Sequence, residues 1–322
     1  HYLGLSFELY MILYILLECI FTVCTYFIVK KIAGKLTICI DFDIIKQIFV
    51  FSIPIGLSSI IGTINIELDK LVINTFLTLE DLAIYSNASK ELPVTIIATT
   101  FTTILLPLIV KMLKNNRMND AIALWKSSVK ISFLVLALFS IGFFTFAPEV
   151  ITILYSSKYL DGVNVFRIYC IVLLFKCTYW GMILNASGNT KFIFYSSLIS
   201  LFFNVCLNFV FINLFGFIGP ALATLISTLM MNLVQLIYTC KKTNFSFSKI
   251  FPWKDCFIIL LINLGFAVIM YNIKELFLQN FKFNNILLAI ILGVIWGCFY
   301  LLIFRKFILE NWKKINEFKT NL

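Results

Sequence analysis

NVCLNFVFINLFGFIGPALATLIS, residues 204–227, reads as the end of one membrane helix, a short hairpin, and the start of the next. Asn204 and Asn208 lie in the first helix, Gly216 and Gly219 mark the turn, and Pro220-Ala221-Leu222-Ala223-Thr224 opens the second. Proline suits a first helical turn, where its missing N–H is no loss. Glycine and alanine at a helix interface let two backbones approach closely. The turn carries no charge and is too short to hold a domain.

The rest of the chain has the composition such a hairpin needs. Apolar residues make up 61% and charged residues 13%, against about 25% charged in a soluble domain. A water-soluble protein of this balance could not cover its surface. The net charge of +10 does not point to nucleic acid, because the basic residues fall in short loops between apolar runs. Membrane lipids are the expected surroundings.

The cysteines do not form a disulfide framework. Cys19, Cys24, Cys170, Cys177, Cys206 and Cys298 lie inside apolar runs, and Cys39, Cys240 and Cys256 lie in or beside basic loops. None falls in a loop assigned to the outside, so no disulfide is expected. The chain has no CxxC pair and a single His, His1, which leaves no credible zinc or haem site. No cofactor is expected. A chain that begins at His1 and runs at once into a membrane helix reads as N-terminally truncated.

A membrane span needs roughly 20 apolar residues. Nine such spans are expected, near 9–29, 47–68, 83–110, 128–148, 164–184, 192–213, 218–240, 256–272 and 285–304. The loops alternate in charge. Lys30, Lys31, Lys35 and Lys46 fill one, and Lys111, Lys114, Arg117, Lys126 and Lys130 the next but one. Lys191 follows, then Lys241, Lys242, Lys249 and Lys254, and the tail adds Arg305, Lys306, Lys313, Lys314 and Lys319. The loops between are acidic or nearly neutral: Glu80 and Asp81; Glu149, Lys158 and Asp161; none at 213–219; Lys274, Glu275 and Lys282. The positive-inside rule places the basic set and the C-terminus in the cytoplasm, and hence residue 1 outside. A cytoplasmic native N-terminus would then imply three missing helices, for twelve in all, or five, for fourteen. The tail mixes lysines with Trp312, Ile315 and Phe318, which suits either a solvated terminus or anionic lipid.

Charges inside the membrane are costly and should face protein or water. Glu18 lies near the middle of the first span, with no basic residue at helical spacing. It is read as a coupling carboxylate, a buried structural pair or a protonated acid. Lys176 lies eight residues from the inner end of its span, roughly 12 Å along a helix. A lysine stem recovers only part of that by snorkelling. Tyr169, Leu173 and Trp180 share its face at helical spacing, with Tyr179 adjacent. An ammonium beside aromatic rings suits a phosphate attached to sugar; a pair with a carboxylate is the alternative. Arg167, near the outer end, reads as an interface anchor first and a phosphate ligand second. Lys90 and Glu91 precede Pro93 in a stretch polar enough to line a cavity. Lys90 is the second cation candidate, with Asp69 or Glu91 as its alternative partner. Asp69 and Lys70 read as an interfacial ion pair or an outer gate. Pro54, Pro93 and Pro107 should kink or break their helices. Asn65, Asn185, Asn204, Asn208 and Asn232 are expected to bond helix to helix.

Three stretches together resemble one family. Residues 68–92, LDKLVINTFLTLEDLAIYSNASKEL, place Asp69-Lys70 before Ala83-Ile84-Tyr85-Ser86, Ala88 and Lys90. Residues 147–167, APEVITILYSSKYLDGVNVFR, put Ser156 or Ser157 where that family usually has glycine. The third is the opening stretch, Asn204, Leu207, Asn208, Gly216, Gly219, Ala221, Ala223 and Thr224, with Pro220 and Asn213 as departures. These are similar to the polysaccharide (O-antigen type) flippases, of the exporter superfamily that also holds MATE drug exporters and peptidoglycan lipid flippases.

The resemblance implies an all-α polytopic membrane protein with two helical lobes around a central cavity, open alternately to each side. It divides the chain into 1–45, the last helix of a truncated first lobe with its loop; 46–242, the second six-helix lobe; and 243–322, an additional helix pair with a basic tail. Five helices would be missing. The implied substrate is an undecaprenyl-pyrophosphate-linked oligosaccharide, moved across the bacterial cytoplasmic membrane. Other membrane proteins of polysaccharide assembly are implied partners. On this resemblance Lys176, Lys90, Tyr179, Trp180, Tyr169 and Arg167 are candidates for the cavity, Glu18 for coupling, and Asp69-Lys70 for a gate. A MATE-type exporter is the first alternative, and a membrane-bound sugar polymerase or glycosyltransferase the second. No cluster of catalytic acid, base or metal-binding residues on a loop supports an enzyme.

Overall fold

A computed structural model describes residues 7–34, 41–280 and 283–320. His1, Lys35, Cys39 and Lys282, and the side chain of Lys319, lie outside them. Every regular element among the described residues is helical. In order they are α1 (Phe7–Ala33), α2 (Phe42–Phe76), α3 (Leu79–Ala88), α4 (Ile96–Lys114), α5 (Met118–Thr145), α6 (Ala147–Leu154) and α7 (Val163–Phe175). Then come α8 (Met182–Ala186), α9 (Thr190–Phe215), α10 (Gly219–Thr243), α11 (Phe247–Ile250), α12 (Trp253–Asn280) and α13 (Asn285–Thr320).

Seven segments of the described residues are long and apolar enough to cross a membrane. One of them, Thr190–Thr243, contains both α9 and α10. With the broken segment α7–α8, too short for that test, they account for the nine spans read from the sequence. The chain divides into two compact units, one ending at Phe49 and one beginning at Val50. In the first, every described α1 side chain is exposed, as a lipid-facing helix requires.

In the second unit α5 is the hub. It packs against α4, α7, α12 and α13 and is the most deeply buried of the seven segments. Trp125 anchors a cluster with Ile109, Trp180 and Phe251. Further along α5, Leu134, Ala137 and Ile141 pack with Trp296 and Tyr300 of α13. Outward faces stay apolar: Phe202 is 67% exposed and Leu302 66%, which only lipid would satisfy. Lys126 donates to the Lys249 carbonyl at 2.9 Å and Lys130 pairs with Asp255 at 2.9 Å. At the other end Lys274 of α12 pairs with Glu149 of α6.

The α9–α10 hairpin is held by a polar row in an otherwise apolar helix. Ser196, Ser200, Asn204 and Asn208 recur every four residues, so they share one face, and all four are buried. Gln235 donates to Ser196 Oγ at 3.0 Å, and Ser200 to the Ser227 carbonyl at 3.1 Å. Asn204 Nδ2 donates to Thr224 Oγ1 at 3.1 Å and to Ser227 Oγ at 3.0 Å. In lipid, such bonds and close backbone contact replace the hydrophobic effect between helices.

The two turn glycines have separate reasons. Gly216 lies at φ +57°, ψ −132°, which side-chain-bearing residues rarely adopt. A Cβ on Gly219 would stand 2.2 Å from the Phe211 carbonyl oxygen. Gly219→Ala is therefore expected to lower stability by about 1–3 kcal/mol or more, read as a drop in the thermal unfolding midpoint in detergent. In the 147–167 stretch it is Ser156, at φ +126°, that takes the conformation glycine adopts freely. That is where the sequence reading placed a missing glycine.

Two helices break. Thr78 and Asp81 form a capping box that starts α3, which explains the acidic residues of that loop. α3 ends at Ala88, and Leu92 is extended ahead of Pro93, as the residue before a proline prefers. Pro54 and Pro107 lie inside continuous helices, whereas Pro93 opens the turn that follows the break after Ala88. The expected span 164–184 is also interrupted, between Phe175 and Met182. Side chains satisfy the freed Phe175 carbonyl, which accepts from Trp180 Nε1 at 2.7 Å and Asn232 Nδ2 at 3.4 Å, and Trp125 Nε1 donates to Thr178 Oγ1 in the break at 2.9 Å. Gly181 completes the break, since a Cβ there would meet Gln235 Oε1 at 3.0 Å. Such breaks in a membrane span are tolerated only where protein or a water-filled cavity surrounds them.

Candidate functional site

The two breaks face one cleft. Its lining includes Lys90, Glu91 and Thr95 from the α3–α4 break, and Tyr169, Leu173 and Lys176 from the end of α7. The two cations singled out in the sequence, 86 positions apart, thus line the same cleft. Lys176 follows the last residue of α7, where a cation complements the helix dipole. Its Nζ lies 3.0 Å from Glu91 Oε1, and the two side chains are 36% and 49% exposed. Lys90 is exposed and pairs with neither Asp69 nor Glu91. The cleft volume is about 50 Å³, far below the roughly 300–1,000 Å³ of a pocket that encloses a ligand. It can engage one charged group of a larger molecule.

Behind the cleft lies a buried carboxylate. Asp69 of α2 is wholly buried. Its Oδ2 accepts from Thr224 Oγ1 at 2.7 Å, Tyr169 OH at 2.8 Å and Tyr85 OH at 3.1 Å, and its Oδ1 from Asn208 Nδ2 at 3.1 Å. Asn208 also donates to Asn204 Oδ1 at 3.0 Å. The opening stretch therefore supplies two of the four donors to Asp69, Asn208 and Thr224. All the donors are neutral, so the negative charge is hydrogen-bonded but not compensated. The Asn208 Oδ1 atom beside it is buried without a partner. Oxygens so placed can take a proton or a small monovalent cation. Among the described residues no group of three or more His, Cys, Asp or Glu could hold a metal ion. Tyr169 belongs to both places, lining the cleft and donating to Asp69.

Other sequence candidates fall elsewhere. Trp180 is buried and stacked on Phe251, centroids 4.8 Å apart and rings 13° from parallel. Tyr179 is half-buried against the Trp125 cluster. Neither lines the cleft, because helical spacing does not continue past Phe175. The Arg167 guanidinium sits over the Phe144 ring at 5.6 Å and donates to the Phe144 carbonyl at 3.4 Å, away from Lys176. Glu18 is exposed on α1, with no side-chain partner among the described residues. Asp69 and Lys70 do not pair: Lys70 reaches Glu67 at 2.9 Å. Helix neighbours three apart face each other and adjacent ones do not. That spacing could have found Glu67; nothing local could have found Asn208 and Thr224.

The family model of the lipid II flippase MurJ matches residues 10–293. No curated protein matches significantly. Among solved structures the chain is similar to a lipid II flippase MurJ in an inward closed conformation, with 23% identity and a TM-score of 0.63 over 88% of this chain and 60% of that one. It is similar to a MOP superfamily transporter from Pyrococcus furiosus, with 19% identity and a TM-score of 0.50 over 72% and 54%. An outward-facing MATE family multidrug resistance transporter of that superfamily gives 15% identity and 0.51 over 85% and 67%. At these identities the likenesses show the fold alone. The chain spans 60% of the length of the flippase structure it matches. The superfamily read from the three motifs holds, while the matching family is that of lipid II flippases and not the O-antigen branch. With residues 10–293 inside that match, the chain belongs to the lipid II flippase MurJ family.

Proposed function

We propose that the chain forms the second lobe, with its additional helix pair, of a flippase for lipid II, the lipid-linked peptidoglycan precursor. The observation that carries this is the placement of Lys90 and Lys176 in one cleft between two broken helices. Broken helices are where membrane transporters build sites for charged substrates, and two ammonium groups suit a diphosphate. The cleft's size fits one part of the headgroup, the rest being held by helices of the other lobe. An O-antigen-type carrier offers the same sugar and diphosphate chemistry, so the cations alone favour neither substrate. The family match supports lipid II.

The domain reading follows: 1–45 as the end of the first lobe, 46–242 as the second, and 243–322 as the added pair. The lysine-rich loops and the C-terminus face the cytoplasm of a bacterial inner membrane by the positive-inside rule. Tyr169 presents its ring to the substrate group, and Arg167 anchors the outer end of α7. Coupling, assigned to Glu18 from the sequence, is better supported at Asp69, a buried carboxylate with only neutral donors.

The test is Lys176→Ala in the full-length protein. Lipid II translocation in proteoliposomes is expected to fall by roughly tenfold or more, with insertion and thermal stability unchanged. Translocation at the normal rate would overturn the assignment.

A further inference from the structure

The two lysines of the cleft differ. Lys90 has no carboxylate partner among the described residues, whereas Lys176 holds Glu91 at 3.0 Å. Glu91 stands on non-helical backbone between Ala88 and the Pro93 turn. Its Oε2 makes no hydrogen bond within the described residues, and Lys176 is its only side-chain partner there. Both members of the pair are more than one-third exposed, and an ion pair of that exposure contributes little to stability. A structural role for Glu91 is therefore weak. Its electrostatic role is not, because it removes one of the two positive charges that an arriving anion would meet. A phosphoryl group on Lys176 would compete for the ammonium and face the carboxylate's repulsion.

We propose that Glu91 is a built-in competitor, occupying on Lys176 the place of the substrate's phosphoryl group and leaving it only for an anion of higher charge. This rests on the phosphate reading of the cleft given above. The cleft is then less strongly positive when empty, and a single carboxylate or a monoanion gains too little to displace Glu91. A diphosphate carries more charge and more acceptor oxygens, so it releases Glu91 and takes both lysines. Glu91 thus sets specificity for the diphosphate against other anionic amphiphiles of the bilayer.

The experiment measures binding of inorganic pyrophosphate and of farnesyl pyrophosphate to the full-length protein in nanodiscs. Lys176→Gln is expected to weaken binding roughly tenfold. Glu91→Gln and Glu91→Ala should each tighten it by roughly five- to tenfold, and neither should do so in the Lys176→Gln background. Tightening for both probes places recognition in the diphosphate itself. Tightening for farnesyl pyrophosphate alone also supports the proposal, with a lipid headgroup as the source of the anion. If Lys176→Gln binds normally, the phosphate reading itself is wrong. If Lys176→Gln weakens binding while both Glu91 variants bind as wild type or worse, only the competitor role is overturned.

Discussion

Lys274→Met is expected to destabilise the folded protein by about 3–5 kcal/mol, the cost of leaving one member of a buried ion pair alone. Lys274 and Glu149 are both buried, and the pair links α12 to α6. The ammonium also lies 5.9 Å from the centre of the Phe146 ring. Without it, the buried Glu149 carboxyl loses its partner, and its second oxygen already has none. Adding Glu149→Leu should recover most of the loss, because apolar residues of similar volume replace a buried pair at little or no cost. Thermal unfolding of wild type, both single variants and the double variant in detergent measures the coupling. Additive losses would mean that the two residues do not act as a pair.

Asp69→Leu is expected to be at least as damaging. It would leave Tyr85, Tyr169, Thr224 and Asn208 donors without their acceptor, each costing about 1–3 kcal/mol when buried. Folded protein should not accumulate. Asp69→Asn keeps the shape and one acceptor oxygen, so it should fold. If Asp69 is the coupling group, as proposed, translocation by Asp69→Asn should no longer respond to a proton or sodium gradient, because the carboxylate charge is gone. A normal gradient response in Asp69→Asn would remove Asp69 as the coupling group and return attention to Glu18. Stability of Asp69→Leu equal to wild type would deny the network its structural role.

Local features were legible in the sequence. Asn204, Gly216 and Gly219 lie within sixteen residues, and their spacing alone describes a polar face and a tight turn. The break at Pro93 is legible for the same reason, since proline acts on its own neighbours. The break after Phe175 is not. It depends on Trp125, Trp180 and Gln235, brought together by tertiary packing, so helical periodicity ran on and placed Trp180 beside Lys176. Adjacency suggests Lys70 as the partner of Asp69, while its donors stand up to 155 positions away. Both lysines of the cleft were found as unusual charges, but their place in one cleft depends on both breaks. Glu149 and Lys274 were each assigned to the outer side, and only the folded chain makes them partners.

Order of synthesis gives the Asp69 cradle another meaning. Tyr85 follows Asp69 by 16 positions, but Asn208 and Thr224 follow by 139 and 155. At about 5–20 residues per second, the last donors leave the ribosome roughly 7–31 s after the carboxylate. Until then Asp69 is held by at most part of its partners. The α9–α10 hairpin, made late in the chain, supplies the donors that complete the cradle begun by the earlier helices.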